Sequence, residues 1–478
     1  MANTSFPQVT VVGAGLAGCE AALQLAARGV PVRLVEMRPG TPTCVHTGGM
    51  PAELVCSNSL KSKDATTASG CLKYELGAMG SQLLASAWET EVAAGGALAV
   101  DRALFSEAVL ERLRSFPGVE LVREECAKLP QGPAIVATGP LTSDRLARML
   151  EFAVGRRNLA FYDAAAPIVE AGSLDRSVVF AQSRYGKGGG EDYLNAPMDK
   201  AEYEAFVREL VGARRTIERD FERRELFAAC QPVEEVARTG EGALSHGALK
   251  PVGLVDPRTG RRPWAVVQLR AENAARSAYN LVGFQTNLRF GEQERVFRMI
   301  PGLEHAEFSR YGVMHRNTFI DTPHALTREL ALPSRPELHF AGQVTGTEGY
   351  LEAVASGLFA ALCVYAELAG LPEPELPPET LFGSLLAYAT DPGTEDYQPM
   401  HVNYGILEPL VPEVRGKHER KAAYARRARA SIDAFVEKRR DLFADAVAPA
   451  GALFLARPRR LTLEGLDCLE GPEGGEAR

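Results

Sequence analysis

QVTVVGAGLAGCEAALQLAARGVPVRLVE, residues 8 to 36, decides the fold class. An apolar run, Val9 to Val12, enters a glycine turn, an Ala/Leu-rich helical stretch leaves it, and a second apolar run closes on Glu36, which is the order strand, turn, helix, strand. The turn Gly13-Ala14-Gly15-Leu16-Ala17-Gly18 fits G-x-G-x-x-G. With 45 glycines in 478 residues that bare pattern arises by chance about 0.4 times, so its setting carries the weight. In a βαβ unit Gly13, Gly15 and Gly18 let backbone approach a pyrophosphate, the helix N-terminus favours its charge, and Glu36, 18 residues after Gly18, accepts ribose hydroxyls. The reading is a dinucleotide site.

Working outward, PAIVATG (133 to 139) reads as another buried strand, ending at Gly139. Near the other end, FAGQ (340 to 343) follows a strand and precedes a long apolar helix expected to begin near Glu348. A second strand-loop-helix of this kind brings a helix N-terminus to a flavin, where its partial charge stabilises the anionic reduced ring. That makes FAD the preferred dinucleotide and adds Gly342, Gln343, Gly346, Thr347 and Glu348 to the candidate cofactor site, Glu348 being also a candidate helix cap. Between the halves, from 161 to 315, short strands, a glycine-rich loop (185 to 193), a charged helix expected over 200 to 229 and Arg-rich turns indicate an inserted α+β domain. The expected organisation is a Rossmann-like α/β FAD domain in two parts, 1 to 160 and 316 to 466, with helices at the end of the second. Residues 467 to 478 are expected to be a disordered tail.

Composition bounds the rest. The chain is 46% apolar with net charge −8, so nucleic acid must be met by a local basic surface. The segment 415 to 440 has ten Lys or Arg among 26 residues against three acids, and Arg pairs at 214–215, 223–224 and 261–262 are further candidates. The eight cysteines (19, 44, 56, 71, 126, 230, 363 and 468) form no C-x-x-C, which fits neither a disulfide framework nor a metal ribbon and suits a reducing cytoplasm. No apolar stretch is expected to reach the roughly 18 residues of a membrane span.

Three longer stretches are more specific: ELVCSNSLKS (53 to 62), QLRAENAARSAYNLVGFQTNL (268 to 288) and GQVTGTEGYLEAVASG (342 to 357). With VMHRNTF (313 to 319) and the glycine turn, they resemble the folate- and FAD-dependent tRNA (uracil-5-)-methyltransferase family, over about Val9 to beyond Tyr404. That family is related to the larger GidA-type flavoproteins, which modify wobble uridines. The resemblance implies transfer of a one-carbon unit from 5,10-methylenetetrahydrofolate to the uridine at position 54 in the tRNA T arm. FAD supplies electrons and NADH or NADPH restores it; no membrane and no obligatory protein partner are expected. The family's two functional thiols fall on Cys56, in VCSNS, and Cys230, in Cys230-Gln231-Pro232, with uracil attack leaning towards Cys230. Either thiol fits either role. Lys61 is a candidate for anionic folate or phosphate, Arg270, Asn273 and Tyr279 for substrate contacts or an interdomain network, and His315 for packing. A GidA-like wobble-base enzyme, a flavin oxidoreductase that ignores RNA, and a non-catalytic FAD-bound scaffold remain the alternatives.

Overall fold

The computed structural model describes residues 6–43, 45–155, 159–217, 231–395 and 397–443, with backbone only at 159–163, 315, 316 and 318. Two six-stranded sheets organise it. In the first, the spatial order is Ala331–Leu332, Arg335–Phe340, Ala134–Val136, Val9–Val12, Val32–Glu36 and Val119–Arg123. Its pairings are parallel except at the Ala331–Leu332 edge, with Val9 opposite Val32 and Thr10 opposite Ala134. The central strand Val9–Val12 has parallel neighbours on both sides, and the carboxyl ends of the five parallel strands open a crevice at a topological switch point.

Helices Leu16–Ala27 and Tyr350–Ala369 meet over this sheet. Small residues permit the approach: a Cβ on Gly357 would stand 2.2 Å from Ala17 O, and one on Gly18 would stand 1.8 Å from Gly13 O. The stretch 350 to 369 is long and apolar enough to cross a bilayer, contrary to the expectation that none is. Here it is the core helix, with sixteen of its twenty residues buried. A helix buried all round carries the same composition as a membrane span.

The second sheet is antiparallel, in the order Phe180–Ala181, Tyr193–Met198, Ala265–Ala271, Ala278–Leu281, Ile168–Glu170 and Phe308–Arg310. Its own apolar core includes Phe206, Phe284 and Phe297. The helix Lys200–Gly212 packs there through Tyr203, Phe206, Val207 and Leu210, spaced for one helical face and started by the Asp199/Glu202 capping box. It stops at Gly212, short of the expected 229, because Ala213 is extended and Arg215 pairs with Leu288. The chain passes between the sheets and back through the antiparallel pair Leu159–Ala164 with Met314–Phe319.

Candidate functional site

The crevice is a cavity lined by Gly13, Gly15, Glu36, Gly139, Gly342 and Gln343 among others. Gly13 sits at φ +98°, and a Cβ there would lie 2.6 Å from Ala137 O and 2.9 Å from Thr138 Cα. Gly15 ends the turn as an N-cap without a side-chain cap, so the first N–H groups of the helix remain available to an anion. Glu36 accepts from Ala14 N at 2.9 Å on one oxygen and from Arg38 N and Nε at 2.9 and 2.8 Å on the other. Burial pushes its carboxyl up, but the hydrogen bonds and charge of Arg38 and the Ala14 N–H outweigh that and hold it below the usual carboxylate range. It stays an acceptor, and its Ala14-bound oxygen has room for a hydroxyl. Glycine cradle, uncapped helix and buried carboxylate together fit an adenine dinucleotide.

Gly18, Gly346, Thr347 and Glu348 do not line the cavity. They brace it instead. Gly346 packs on Tyr397, Thr347 Oγ1 donates to Gly342 O at 3.1 Å, and Glu348 Oε1 accepts from Gln343 Nε2. The helix begins at Tyr350, close to Glu348 as expected, but its N-cap is Gly349 with no side-chain cap, so Glu348 is not the cap. Sequence reasoning missed Arg38, His46 and Tyr350, all of them lining residues. Burial first, then the charge of Arg38, lowers His46 to about 4, so its ring is neutral at neutral pH.

Cys56 stands next to the lining residue Val55 and is half-buried, with its thiol donating to Ala164 O at 3.8 Å. Its loop is fixed from several directions. Tyr350 Oη accepts from Cys56 N at 2.9 Å and Ser57 N at 3.1 Å. Arg102 donates to Leu54 O, Arg310 to Val55 O, and Arg270 to Ser57 Oγ at 2.7 Å and Asn58 Oδ1 at 2.8 Å. Asn58, fully buried, donates to Val100 O and Ala271 O, both at 3.0 Å. The three arginines surround the loop with positive charge, partly balanced by Glu272 on Arg102. Burial first, then the charge of Cys56, pushes the Tyr350 hydroxyl up, so it keeps its proton.

Cys230 lies outside the described residues, as do Cys44 and Cys468. The chain on either side of 218–230 is anchored: Thr216 N donates to Asn287 O at 2.7 Å and Val233 N to Gln285 O at 2.7 Å. Between those anchors Thr286 packs on Gly312, where a Cβ would also stand 2.8 Å from Ala165 O, beside the carbonyl that Cys56 touches. Cys19, Cys71 and Cys363 are buried, and burial pushes all three thiols up, as expected of packing residues. Lys61 reaches Glu352 at 3.3 Å, Asn273 closes a turn with Ser277, and Tyr279 belongs to the second core, where Arg176 lies over its ring. The side chain of His315 is not described.

This fold and cavity define an FAD-binding enzyme of the GidA type. A family model described as Glucose inhibited division protein A matches residues 8–372. Structures of Aquifex aeolicus GidA in two crystal forms superpose with TM-scores of 0.65 and 0.67 at 15% identity, over 95% and 94% of this chain and 76% and 78% of theirs. Two proteins named methylenetetrahydrofolate–tRNA-(uracil-5-)-methyltransferase TrmFO are closer in sequence. That of Heliobacterium modesticaldum is 52% identical over 90% of this chain and 98% of its own, and that of Symbiobacterium thermophilum 51% over 88% and 95%. The chain belongs to the TrmFO family.

Proposed function

We propose that this protein moves a one-carbon unit from 5,10-methylenetetrahydrofolate to C5 of the T-loop uridine at tRNA position 54 and reduces it to methyl, giving 5-methyluridine. The observation that supports this best is a fixed cysteine loop at the mouth of a dinucleotide cavity in a chain of this family. Bound FAD, reduced by NADH or NADPH, supplies the two electrons that convert methylene to methyl.

The chain's own residues divide the remaining work. Uracil C5 is a poor nucleophile, and a thiolate added at C6 makes it enolate-like. We assign that addition to Cys230; once the new carbon-carbon bond has formed, C5 gives up its proton and the thiolate leaves C6. Cys56 is assigned to the cofactor side, where Tyr350 orients its peptide and the arginines hold its loop. Glu36 takes the ribose hydroxyls, the turn Gly13 to Gly18 the pyrophosphate, and the braced Gly342–Gln343 loop the flavin side, with Gly139 also lining the cavity. Residues 161–315 are read as the inserted unit that presents RNA to the FAD-binding halves, and free thiols suit a reducing cytoplasm.

The test is nucleoside analysis of unmodified tRNA incubated with the purified protein, methylenetetrahydrofolate and NADH. Gain of 5-methyluridine in the T loop is expected. A modified wobble uridine instead would favour GidA-like chemistry, and no RNA change despite NADH oxidation would favour an oxidoreductase.

A further inference from the structure

We propose that the first turns of the helix Lys417–Lys438, with Arg415 before it, form a phosphate-binding surface that holds tRNA beside the catalytic cavity. This rests on the tRNA reading above.

The helix buries one face. Ala422, Ala425, Ala428, Ile432 and Phe435 are inside, and Tyr74 of the helix Ala68–Ala78 donates to Asp433 at 2.9 Å. Its later arginines are occupied. Arg427 donates to Glu408 O and Pro409 O and lies over the Tyr424 ring, Arg429 faces Asp433, and Arg439 pairs with Asp441. Arg415, Lys417, Arg420, Lys421 and Arg426 differ. They form no ion pair or side-chain hydrogen bond among the described residues, and all but half-buried Lys421 are exposed. Elsewhere the protein spends its arginines on carboxylates, as at Arg33, Arg38, Arg102 and Arg258. A chain of net charge −8 repels a polyanion, so five unmatched cations within twelve residues are a local reversal of sign with a use for one.

Their position points to the same partner. Met400 N donates to Gly346 O and Met400 O accepts from Glu348 N, both at 2.9 Å, on the loop that braces the flavin side. Two residues on, Val402 N donates to Glu352; two more on, Tyr404 stacks on Tyr424 with ring centroids 5.3 Å apart. Four residues span at most about 14 Å. Lys421 and Arg420 are one helical turn, about 5 Å, from Tyr424. One RNA stem-loop can therefore reach both the cavity and these cations. An anionic membrane is the poorer fit, because the apolar face that would enter it is already packed inside the protein.

The test uses the full-length, FAD-loaded protein and a Lys417→Gln/Arg420→Gln/Lys421→Gln/Arg426→Gln variant, with binding to unmodified tRNA measured from roughly 50 to 200 mM salt. Bound FAD and far-UV circular dichroism report folding. If all four cations meet phosphates, the slope of log affinity against log salt falls by about 3, at 0.7 to 0.9 per contact, and affinity drops at least about tenfold at low salt. A wild type that binds tRNA and a folded variant with the same affinity and slope overturn the inference. So does equal loss of binding to anionic vesicles with no loss on tRNA. A wild type that binds no tRNA overturns the functional reading as well. If the fourfold variant loses FAD, Arg420→Gln/Lys421→Gln carries the test, with about half the slope change expected and an unchanged slope counting against it.

Discussion

Arg270→Met separates the Cys56 loop from the second sheet without touching the cavity. Arg270 stands on the strand Ala265–Ala271 and is 7% exposed, and its guanidinium donates to Ser57 Oγ at 2.7 Å and to Asn58 Oδ1 at 2.8 Å. Methionine fills much of the volume but donates to neither oxygen. Hydrogen bonds to a charged donor contribute about 1.5 to 3 kcal/mol each, and Asn58 keeps its two carbonyl partners, so a loss of about 3 kcal/mol is expected. Arg270→Lys keeps the charge but not the two-pronged geometry, and should recover no more than half of it. Urea unfolding gives the stability, and single-turnover methylation of tRNA gives the effect on the thiol. The expected outcome is a lower midpoint and methylation slowed at least about tenfold, the equivalent of 1.4 kcal/mol in barrier, with FAD content retained. If the methionine variant kept both stability and rate, the strap would not position Cys56, and the reasoning would fail.

Three other outcomes follow from single contacts. Gly13→Ala drives a Cβ into Ala137 O and Thr138 at a left-handed φ, so the protein should purify without its yellow flavin absorbance; a stoichiometric flavin content would contradict the cradle. Tyr350→Phe leaves the Cys56 and Ser57 N–H groups without their acceptor at a cost of about 1 to 3 kcal/mol, and should slow methylation by roughly 5- to 100-fold while FAD stays bound. Glu75 is buried and, despite accepting from Leu381 N and Phe382 N, is raised to about 7 chiefly by desolvation. The folded state therefore holds more protons than the unfolded one between about 4.5 and 7, so stability falls as pH rises through that window. Glu75→Gln should flatten the fall, and an unchanged pH profile of the urea midpoint would refute the assignment.

The parts of the site legible in the sequence are those where backbone must meet a ligand. Gly13 has no substitute at its position, and Glu36 sits at a spacing fixed by one helix and one strand. The braces were harder to read. Arg102, Arg270 and Arg310 reach the Cys56 loop across sequence separations of 48, 213 and 255 residues, which no local pattern encodes. Gly346, Thr347 and Glu348 belong to a motif whose residues serve two ends, some facing the cavity and others holding those that do. The helix expected over 200 to 229 ends at Gly212 for a tertiary reason, the pairing of Arg215 with Leu288, while 218 to 229 lie outside the described residues. Cys230, half of the proposed chemistry, is known only from its motif, since the described chain resumes at Gln231.

The claim on which the rest depends is that the folate carbon reaches uracil only with both thiols in place. It is tested by giving wild type, Cys56→Ala and Cys230→Ala unmodified tRNA, NADH and methylenetetrahydrofolate labelled in its methylene carbon, and reading the label in 5-methyluridine by mass spectrometry. Labelled 5-methyluridine is expected from the wild type and none from either variant while both retain FAD. Label appearing at the wild-type rate with either cysteine replaced would contradict it.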